Sequence, residues 1–305
     1  MVHKRIEVVG GAGNVGIGIT KAFRKRGWKV NITDPQINKT FEELNDIELK
    51  KIFSSLKHVV YSAEVGNRDL YTKNSNLGKE NNLRFEKFCN TICKINPQIT
   101  VWYIGGSWTK RKPNNNWLVT DNSLNKDLKD CIPYEKAKIS AEKNAQKLSK
   151  LFNIRFLDWA SIVPNLSENF SIPKMITQAL KEGKITYSSS LYGRPLLEST
   201  QAGEALVYLI KDDNPQNGFQ KFLIPGLFIP FREFANAVKK VVEKETDKII
   251  KLEKQPTTPD FLKTKTHSNY LEKLGFRPKR LDILKALQQN ASKYLRLVKE
   301  NDKHL

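Results

Sequence analysis

The short apolar run Ile6-Glu-Val-Val9 stops at Gly10-Gly-Ala-Gly13-Asn14-Val15-Gly16 and gives way to helical periodicity lasting to about Arg26. The glycines fit two spacings at once, Gly11-x-Gly13-x-x-Gly16 and Gly10-x-x-Gly13-x-x-Gly16. Such glycines allow a tight turn and close backbone approach to a pyrophosphate, while the helix N-terminus offers free N–H groups and a positive dipole. Lys21, Arg24, Lys25 and Arg26 suit the negative end of that helix, and Gly27 stands where a left-handed cap belongs. A second strand, Lys29-Val-Asn-Ile-Thr33, follows and closes with Asp34-Pro35. Strand, glycine turn, helix and strand in this order commit the start of the chain to a parallel βαβ unit. Asp34 lies 18 residues past Gly16, where a carboxylate takes the adenosine ribose hydroxyls of a dinucleotide. Its charge repels a 2′-phosphate, which favours NAD over NADP. Asp34-Pro35 also fits the start of a plain turn.

The alternation continues. Strands are expected at His58–Ser62, Thr100–Ile104 and Ile154–Leu157, and helices at 48–56, 77–95 and 134–151. Leu83, Phe85, Phe88, Cys89, Ile92 and Cys93 form the expected buried side of the 77–95 helix. Phe41–Leu44 fits a further short strand, and 109–132 reads as a polar loop. This pattern predicts an α/β fold, a doubly wound, mostly parallel sheet. Beyond Pro164 the periodicity loosens. Helices are expected at 173–182, 201–211, 231–244, 259–274 and 281–299, and short strands at 184–187, 196–198 and 220–224. The division expected is a nucleotide-binding domain over 1–165 plus about 196–225. A smaller substrate-binding lobe takes about 166–195 and 226–305.

A chain of 305 residues with 39% hydrophobic residues has enough apolar material for a sizeable core. No apolar run approaches the roughly 18 residues of a membrane span, and a strand pattern by Arg5 leaves no room for a signal peptide. With three cysteines (Cys89, Cys93 and Cys131) lacking metal spacing, a reduced cytoplasmic protein is the expectation. The four histidines are scattered and offer no metal site. The net charge of 52 − 32 = +20 admits a nucleic-acid binder. Yet Lys outnumbers Arg 40 to 12, and the basic residues spread along the whole chain. Arg is the preferred reader of phosphates and guanine edges, so a solvated Lys-rich surface is favoured over a nucleic-acid partner. A positive potential also draws in anionic small molecules.

Tyr134-Glu-Lys-Ala-Lys138 places a phenol and an ammonium four residues apart, on one face of the expected helix. A cation beside a phenol favours the phenolate and makes the hydroxyl usable for proton transfer. In a chain this rich in lysine, one such spacing is expected about once by chance. Its meaning comes from its surroundings.

Taken in order, Gly10-x-x-Gly13-x-x-Gly16, Asp34, Ser62-Ala63, Ser107 and Tyr134-x-x-x-Lys138 resemble an extended short-chain dehydrogenase/reductase of the NAD-dependent epimerase/dehydratase group, which act mostly on nucleotide sugars. The resemblance is strong to about residue 165 and weak after it. It implies NAD bound by Gly10, Gly13, Asn14, Val15, Gly16 and Asp34, with Asp46 near the adenine. Ser62 and Ala63 would pass along the cofactor, and Ala160-Ser161-Ile162 would line the nicotinamide. Ser107, Tyr134 and Lys138 would be catalytic. Ser107 would orient the substrate oxygen, Lys138 would also bond the nicotinamide ribose, and Thr109 is placed to stand in for Ser107. Thr120-Asp121 and Pro133 match the loop leading into the Tyr, and Asn76 with Asn82 matches the opening of the preceding helix. Asn165 resembles a substrate contact. Arg194 resembles an arginine that grips the nucleotide diphosphate; the alternative is a surface salt bridge.

The chain also departs from the family. Gly105-Gly106 replaces a frequent Ser-Ser, which would widen the site. Asp158-Trp159 replaces Arg-Pro, and Leu197-Glu198-Ser199-Thr200 replaces a His-Val-x-Asp element. Sugar dehydratases of this type carry an acidic pair just after the Ser/Thr, where this chain has Trp108-Thr109-Lys110-Arg111. The Cys and His of 3,5-epimerases are missing as well. What remains is a 4-epimerase or a nucleotide-sugar ketoreductase or dehydrogenase. The short stretch of 23 residues between Asp34 and His58 resembles the ketoreductases. A non-catalytic or RNA-binding member of the fold is the third reading. The family often dimerises through two long helices, here 77–95 and 134–151, so a homodimer is a further expectation.

Overall fold

The computed structural model describes residues 4–64, 66, 68–163, 171–188, 192–213, 218–255 and 263–302. The first half runs β1 (Arg5–Val9), α1 (Asn14–Lys25), β2 (Lys29–Thr33), α2 (Asp46–Phe53), β3 (His58–Tyr61), α3 (Arg68–Lys73), α4 (Leu77–Ile95), β4 (Thr100–Ser107), β5 (Leu118–Val119), α5 (Pro133–Leu148), β6 (Asn153–Trp159) and β7 (Ser161–Val163). The second half runs α6 (Ser171–Glu182), β8 (Lys184–Tyr187), β9 (Gly193–Glu198), α7 (Ser199–Asp212), β10 (Phe219–Ile224), β11 (Leu227–Pro230), α8 (Phe231–Thr246), β12 (Lys251–Lys254), β13 (Lys265–Thr266), α9 (Asn269–Lys273) and α10 (Arg280–Asp302).

Six strands form one parallel sheet in the order β10-β6-β4-β3-β1-β2. Parallel strands must be covered on both faces, which is why they read as near-continuous apolar runs. On one face α1 and α7 bury Ile19, Phe23, Leu206 and Ile210 against Ile6, Val8 and Leu157. On the other, α2, α4 and α5 bury Phe53, Phe85, Phe88 and Ala145 against Val59, Val101, Tyr103 and Phe156. A third cluster joins α6, α8 and α10 around Ile176, Val238, Leu287 and Leu295.

Several expectations are corrected. Phe41–Glu43 is a single 3₁₀ turn, not a strand. The backbone N–H of Thr40 donates to Glu43 at 2.6 Å, and the Phe41 ring sits edge-on to Phe53 and Phe88. A cap and an aromatic anchor thus fix a stretch too short to pair. In α4 the inward position is Asn81, whose amide donates to the Tyr71 hydroxyl, while Leu83 is 55% exposed. The expected 259–274 helix is reduced to α9 within the described residues. Lys265 and Thr266 are extended and pair with β5, and Thr266 Oγ1 accepts from the Gly226 N–H at 2.9 Å. Glu198 caps α7, accepting from the N–H groups of Thr200 and Gln201, which accounts for the sequence at the departed His-Val-x-Asp element.

The polar stretch after β4 is not all loop. Lys110 and Arg111 are fully buried. Lys110 Nζ pairs with Glu142 of α5 and lies 3.1 Å from Asp158 Oδ1 of β6; Arg111 Nε donates to Asp158 Oδ2 at 2.6 Å. Lys221 of β10 closes the network on Glu142 at 2.8 Å. Gly106 makes the approach of Asp158 possible, since a Cβ there would stand 2.0 Å from Asp158 Oδ1.

Removing one partner of a buried ion pair strands the other charge. Asp158→Asn is therefore expected to cost about 3 kcal/mol in chemical denaturation; a loss below about 1 kcal/mol would contradict a closed network. Burial alone would raise the Glu142 carboxyl, but Lys110 and Lys221 outweigh it and hold it at about 2. Its contribution is complete above the ordinary carboxylate range and is lost as pH falls through about 2. Between pH 4.5 and 2, stability should fall less steeply in Glu142→Gln than in the parent, by about 2 kcal/mol. Denaturant titrations across that range read the difference, and parallel curves would refute it.

Candidate active site

The carboxyl ends of β1, β3, β4 and β6 lie along one edge of the sheet. The chain leaves β1 for β2 on one side and returns to β3 on the other. Ligands of such sheets bind in the crevice at this change of direction. Gly10, at φ +81°, forms its floor, and a Cβ there would meet Ala63 N at 2.6 Å. Ser62 Oγ donates to the carbonyls of Val9 and Gly10 at 3.0 and 2.9 Å, tying the β3 loop to the turn.

Gly13 is the N-cap of α1, and no side chain caps that helix. The N–H groups of Asn14, Val15 and Gly16 have no intrahelical acceptor and carry the positive end of the dipole. A Cβ on Gly13 would meet only the Gly10 carbonyl oxygen, at 3.4 Å. Protein packing therefore does not require glycine at 13. Its bareness leaves space over the helix end that fits a phosphate. Asp34 is buried beside this cradle; Oδ2 accepts from Ala12 N–H and Oδ1 from Gln36 N–H, both at 2.9 Å. The second bond is the turn expected from Asp34-Pro35, so one carboxylate serves turn and cradle and keeps lone pairs for further donors. Asp46 is exposed in the first turn of α2, and makes no hydrogen bond or ion pair with the glycine turn among the described residues.

Tyr134 and Lys138 share the inner face of α5. Lys138 Nζ lies 5.4 Å from the centroid of the Tyr134 ring and 5.8 Å from that of Tyr71, which packs edge-on to Tyr134 at 5.2 Å. Pro133 occupies the first turn of the helix, where its missing N–H costs nothing. Lys138 is not free. Its ammonium pairs with Glu64, whose other oxygen accepts from the Tyr103 hydroxyl. Burial would lower the Lys138 pKa, but Glu64, Tyr134 and Tyr71 outweigh it and hold it above the ordinary lysine value. Burial and the Glu64 carboxylate raise the Tyr103 hydroxyl well above a free phenol. The sequence reading missed Glu64, Tyr103 and Tyr71. The available signal was the position of Glu64 directly after Ser62-Ala63.

Ser107 ends β4, buried opposite Trp159 of β6. Its Oγ lies 3.0 Å from Thr109 Oγ1 and accepts from Thr109 N–H at 3.3 Å. Thr109 thus steadies Ser107, and among the described residues no hydrogen bond joins Ser107 to Tyr134. Gly105-Gly106 does not widen the site. A Cβ on Gly105 would meet the Tyr103 ring at 2.4 Å, and the space beside Gly106 holds the Asp158 carboxylate. Ile162 in β7 is half-buried against the sheet core, and Trp108 Nε1 donates to the neighbouring Ser161 Oγ at 3.4 Å. Asn165 lies outside the described residues. Arg194 in β9 forms no ion pair among the described residues and stacks over Phe231 at 5.8 Å. Burial and the Arg68 guanidinium press its pKa below the ordinary arginine value. It is a partly desolvated cation with no carboxylate partner among the described residues.

No family profile matches the chain, and no curated protein matches it in sequence. Solved structures do match, over nearly the whole length. MoeE5 in complex with UDP-glucose and NAD superposes with a TM-score of 0.70 at 16% identity, covering 95% of this chain and 99% of that one. UDP-N-acetylglucosamine 4-epimerase from Methanobrevibacter ruminantium, in complex with UDP-N-acetylmuramic acid, gives 0.67 at 20% identity over 97% and 99%. RMD from Pseudomonas aeruginosa complexed with NADPH gives 0.70 at 13% identity over 95% and 99%. What these proteins share with the chain is the fold, a parallel central sheet flanked by helices.

Proposed function

We propose that the protein is an NAD-dependent enzyme of the extended short-chain dehydrogenase/reductase type that epimerises C4 of a nucleotide sugar. The observation that carries the reading is the Tyr134–Lys138 pair on the inner face of α5, with the ammonium 5.4 Å from the phenol ring. It stands in a fold whose neighbours include a 4-epimerase and a UDP-glucose complex.

Asn14, Val15 and Gly16 would hold the dinucleotide phosphates with their backbone N–H groups, over the bare Gly13. Asp34 would bond the adenosine ribose, Ser62 and Ala63 would pass along the cofactor, and Ile162 would line the nicotinamide, with Asp46 toward the adenine. Bound NAD would accept a hydride from the sugar carbon and return it. Tyr134 takes the hydroxyl proton from that carbon as the C–H bond breaks, and gives it back when the bond re-forms on the opposite face. Ser107, steadied by Thr109, orients the oxygen. Lys138 supplies the positive charge beside the phenol. Arg194, a cation with no carboxylate partner among the described residues, suits the substrate diphosphate. In this reading the part built from 1–165 and about 196–225 holds NAD, and the remaining lobe holds the nucleotide sugar.

Elimination of water needs an acid for the leaving hydroxyl. Lys110 and Arg111 point into the protein, and both oxygens of Glu64 are engaged. A ketoreductase is the second reading. The missing strand between β2 and β3 and the RMD neighbour bound to NADPH favour it; Asp34 opposes a 2′-phosphate.

The purified protein is expected to carry NAD and to interconvert a nucleotide-sugar pair without added cofactor. Obligatory consumption of NADH or NADPH would replace the epimerase by the reductase. Tyr134→Phe should lower turnover about a thousandfold and keep NAD bound; retained activity would refute its role. Gly13→Ala is expected to unfold within about 1 kcal/mol of the parent and to bind NAD at least about tenfold more weakly. Calorimetric titration reads this, and unchanged NAD affinity would remove the phosphate from the cradle.

A further inference from the structure

We propose that the recess between α8 and α10 binds single-stranded RNA by its sugar–phosphate backbone. None of its residues belongs to the candidate active site. The chain carries a net charge of +20 with basic residues spread along the sequence, and at this place the fold gathers several of them.

The two helices run side by side in the same direction. At their starts Arg280 donates to both Glu233 oxygens, at 3.1 and 2.6 Å, and at their ends Lys299 donates to the Glu245 carbonyl at 2.6 Å. Between these clamps lies a recess of about 900 Å³, above Val238, Val241 and Leu287 of the third core cluster. Lys240 and Lys244, one turn apart on α8, line one wall. Lys285, Lys293 and Arg296 line the other and span about 16 Å of α10. Lys239 and Arg280, on the same helices, are paired with Glu243 and Glu233. The five cations of the recess are exposed and form no ion pair among the described residues. The acids in the lining are Glu245 and Glu300, which leaves a charge of 5 − 2 = +3.

The remaining lining decides between anionic partners. Lys, Arg, Gln and Ser side chains contact phosphate and sugar oxygens of nucleic acids. Gln288, Gln289 and Ser292 stand among the cations. They both donate and accept, which suits a ribose 2′-hydroxyl. Among the described residues, Val241 and Leu297 are the apolar part of the lining, too little to seat the apolar face of an acidic amphipathic helix. A recess walled by two helices follows a strand and does not lie against a flat bilayer. Its described lining holds no aromatic side chain, so bases are not stacked there and the backbone carries the contact.

The test is fluorescence anisotropy of a labelled oligouridylate of about 20 nucleotides with the full chain. If five cations meet five phosphates, affinity should fall about a hundredfold between about 50 and 200 mM salt. Lys285→Glu/Lys293→Glu should weaken binding at least about tenfold at the lower salt and flatten the salt slope by about 1.4. Lys21→Glu/Lys50→Glu removes the same charge from exposed positions on α1 and α2, and should cost less than about threefold. Equal losses in the two variants would show that net charge alone attracts the strand, and would overturn the proposal. An oligothymidylate of the same length bound as tightly as the RNA would overturn the ribose contacts. Poly-L-glutamate of matched charge bound more tightly than the RNA would replace the strand by an acidic protein segment. If the glutamate pair does not fold, Lys285→Gln/Lys293→Gln removes the same contacts and should weaken binding about fivefold; unchanged affinity in that variant is equally decisive against the recess.

Discussion

The buried ion network around Asp158 holds the site's parts in register. Lys110 and Arg111 lie just past Ser107, Glu142 sits on the helix that carries Tyr134 and Lys138, Asp158 ends β6, and Lys221 extends from β10. Four elements that never meet in sequence are fixed to each other by charge. Taking such groups out of water costs several kcal/mol per ion, which only close and multiple pairing offsets. The pairing is multiple here. Arg111 also donates to the carbonyls of Thr120 and Asp121, at 2.8 and 3.0 Å, and so braces the segment leading into α5. A shift of the Ser107 loop would break three ion pairs at once. The distance between the end of β4 and the start of α5 is thereby set by groups outside the reacting centre.

This network is also where the sequence was least legible. Patterning assigns charged residues to the surface, and Trp108 to Arg111 has no periodicity to say otherwise. A buried Lys-Arg dipeptide looks like loop until its partners, 32 and 47 residues away, are known. Leu83 and Asn81 were exchanged for a related reason. The α4 helix turns an asparagine inward, where its amide donates to the Tyr71 hydroxyl, and apolarity alone cannot report such a bond. The glycine turn and Asp34 were legible because backbone geometry dictates them, while the Tyr134–Lys138 spacing drew its meaning from the resemblance of its surroundings. A strand feeding a bare helix end leaves few residue choices.

Glu64 belongs to a third kind of information, a residue whose neighbours in sequence were recognised while its own role was not. It follows Ser62-Ala63, which the resemblance places against a cofactor. No local pattern tells that its carboxylate crosses to a lysine 74 residues on. Lys138 was read from spacing as a cation acting on Tyr134. In the folded chain it is half of a buried ion pair with Glu64.

The departures from the pattern that the sequence resembles form one set. Trp108-Thr109-Lys110-Arg111 stands where the sugar dehydratases that the sequence resembles carry an acidic pair, and Asp158, where that resemblance leads one to expect an arginine, lies opposite the two cations. The glycines that replace Ser-Ser serve the same arrangement on two sides. Gly106 admits Asp158 to its cations, and Gly105 admits the Tyr103 ring that holds Glu64 against Lys138. A side chain at 106 would push on the network that positions Ser107, and one at 105 on the group that positions Lys138. Two adjacent bare positions in β4 thus connect the scaffold of the site to its charge balance. Replacing Gly105-Gly106 by the common Ser-Ser would disturb both sides together, even though neither glycine touches the reacting atoms.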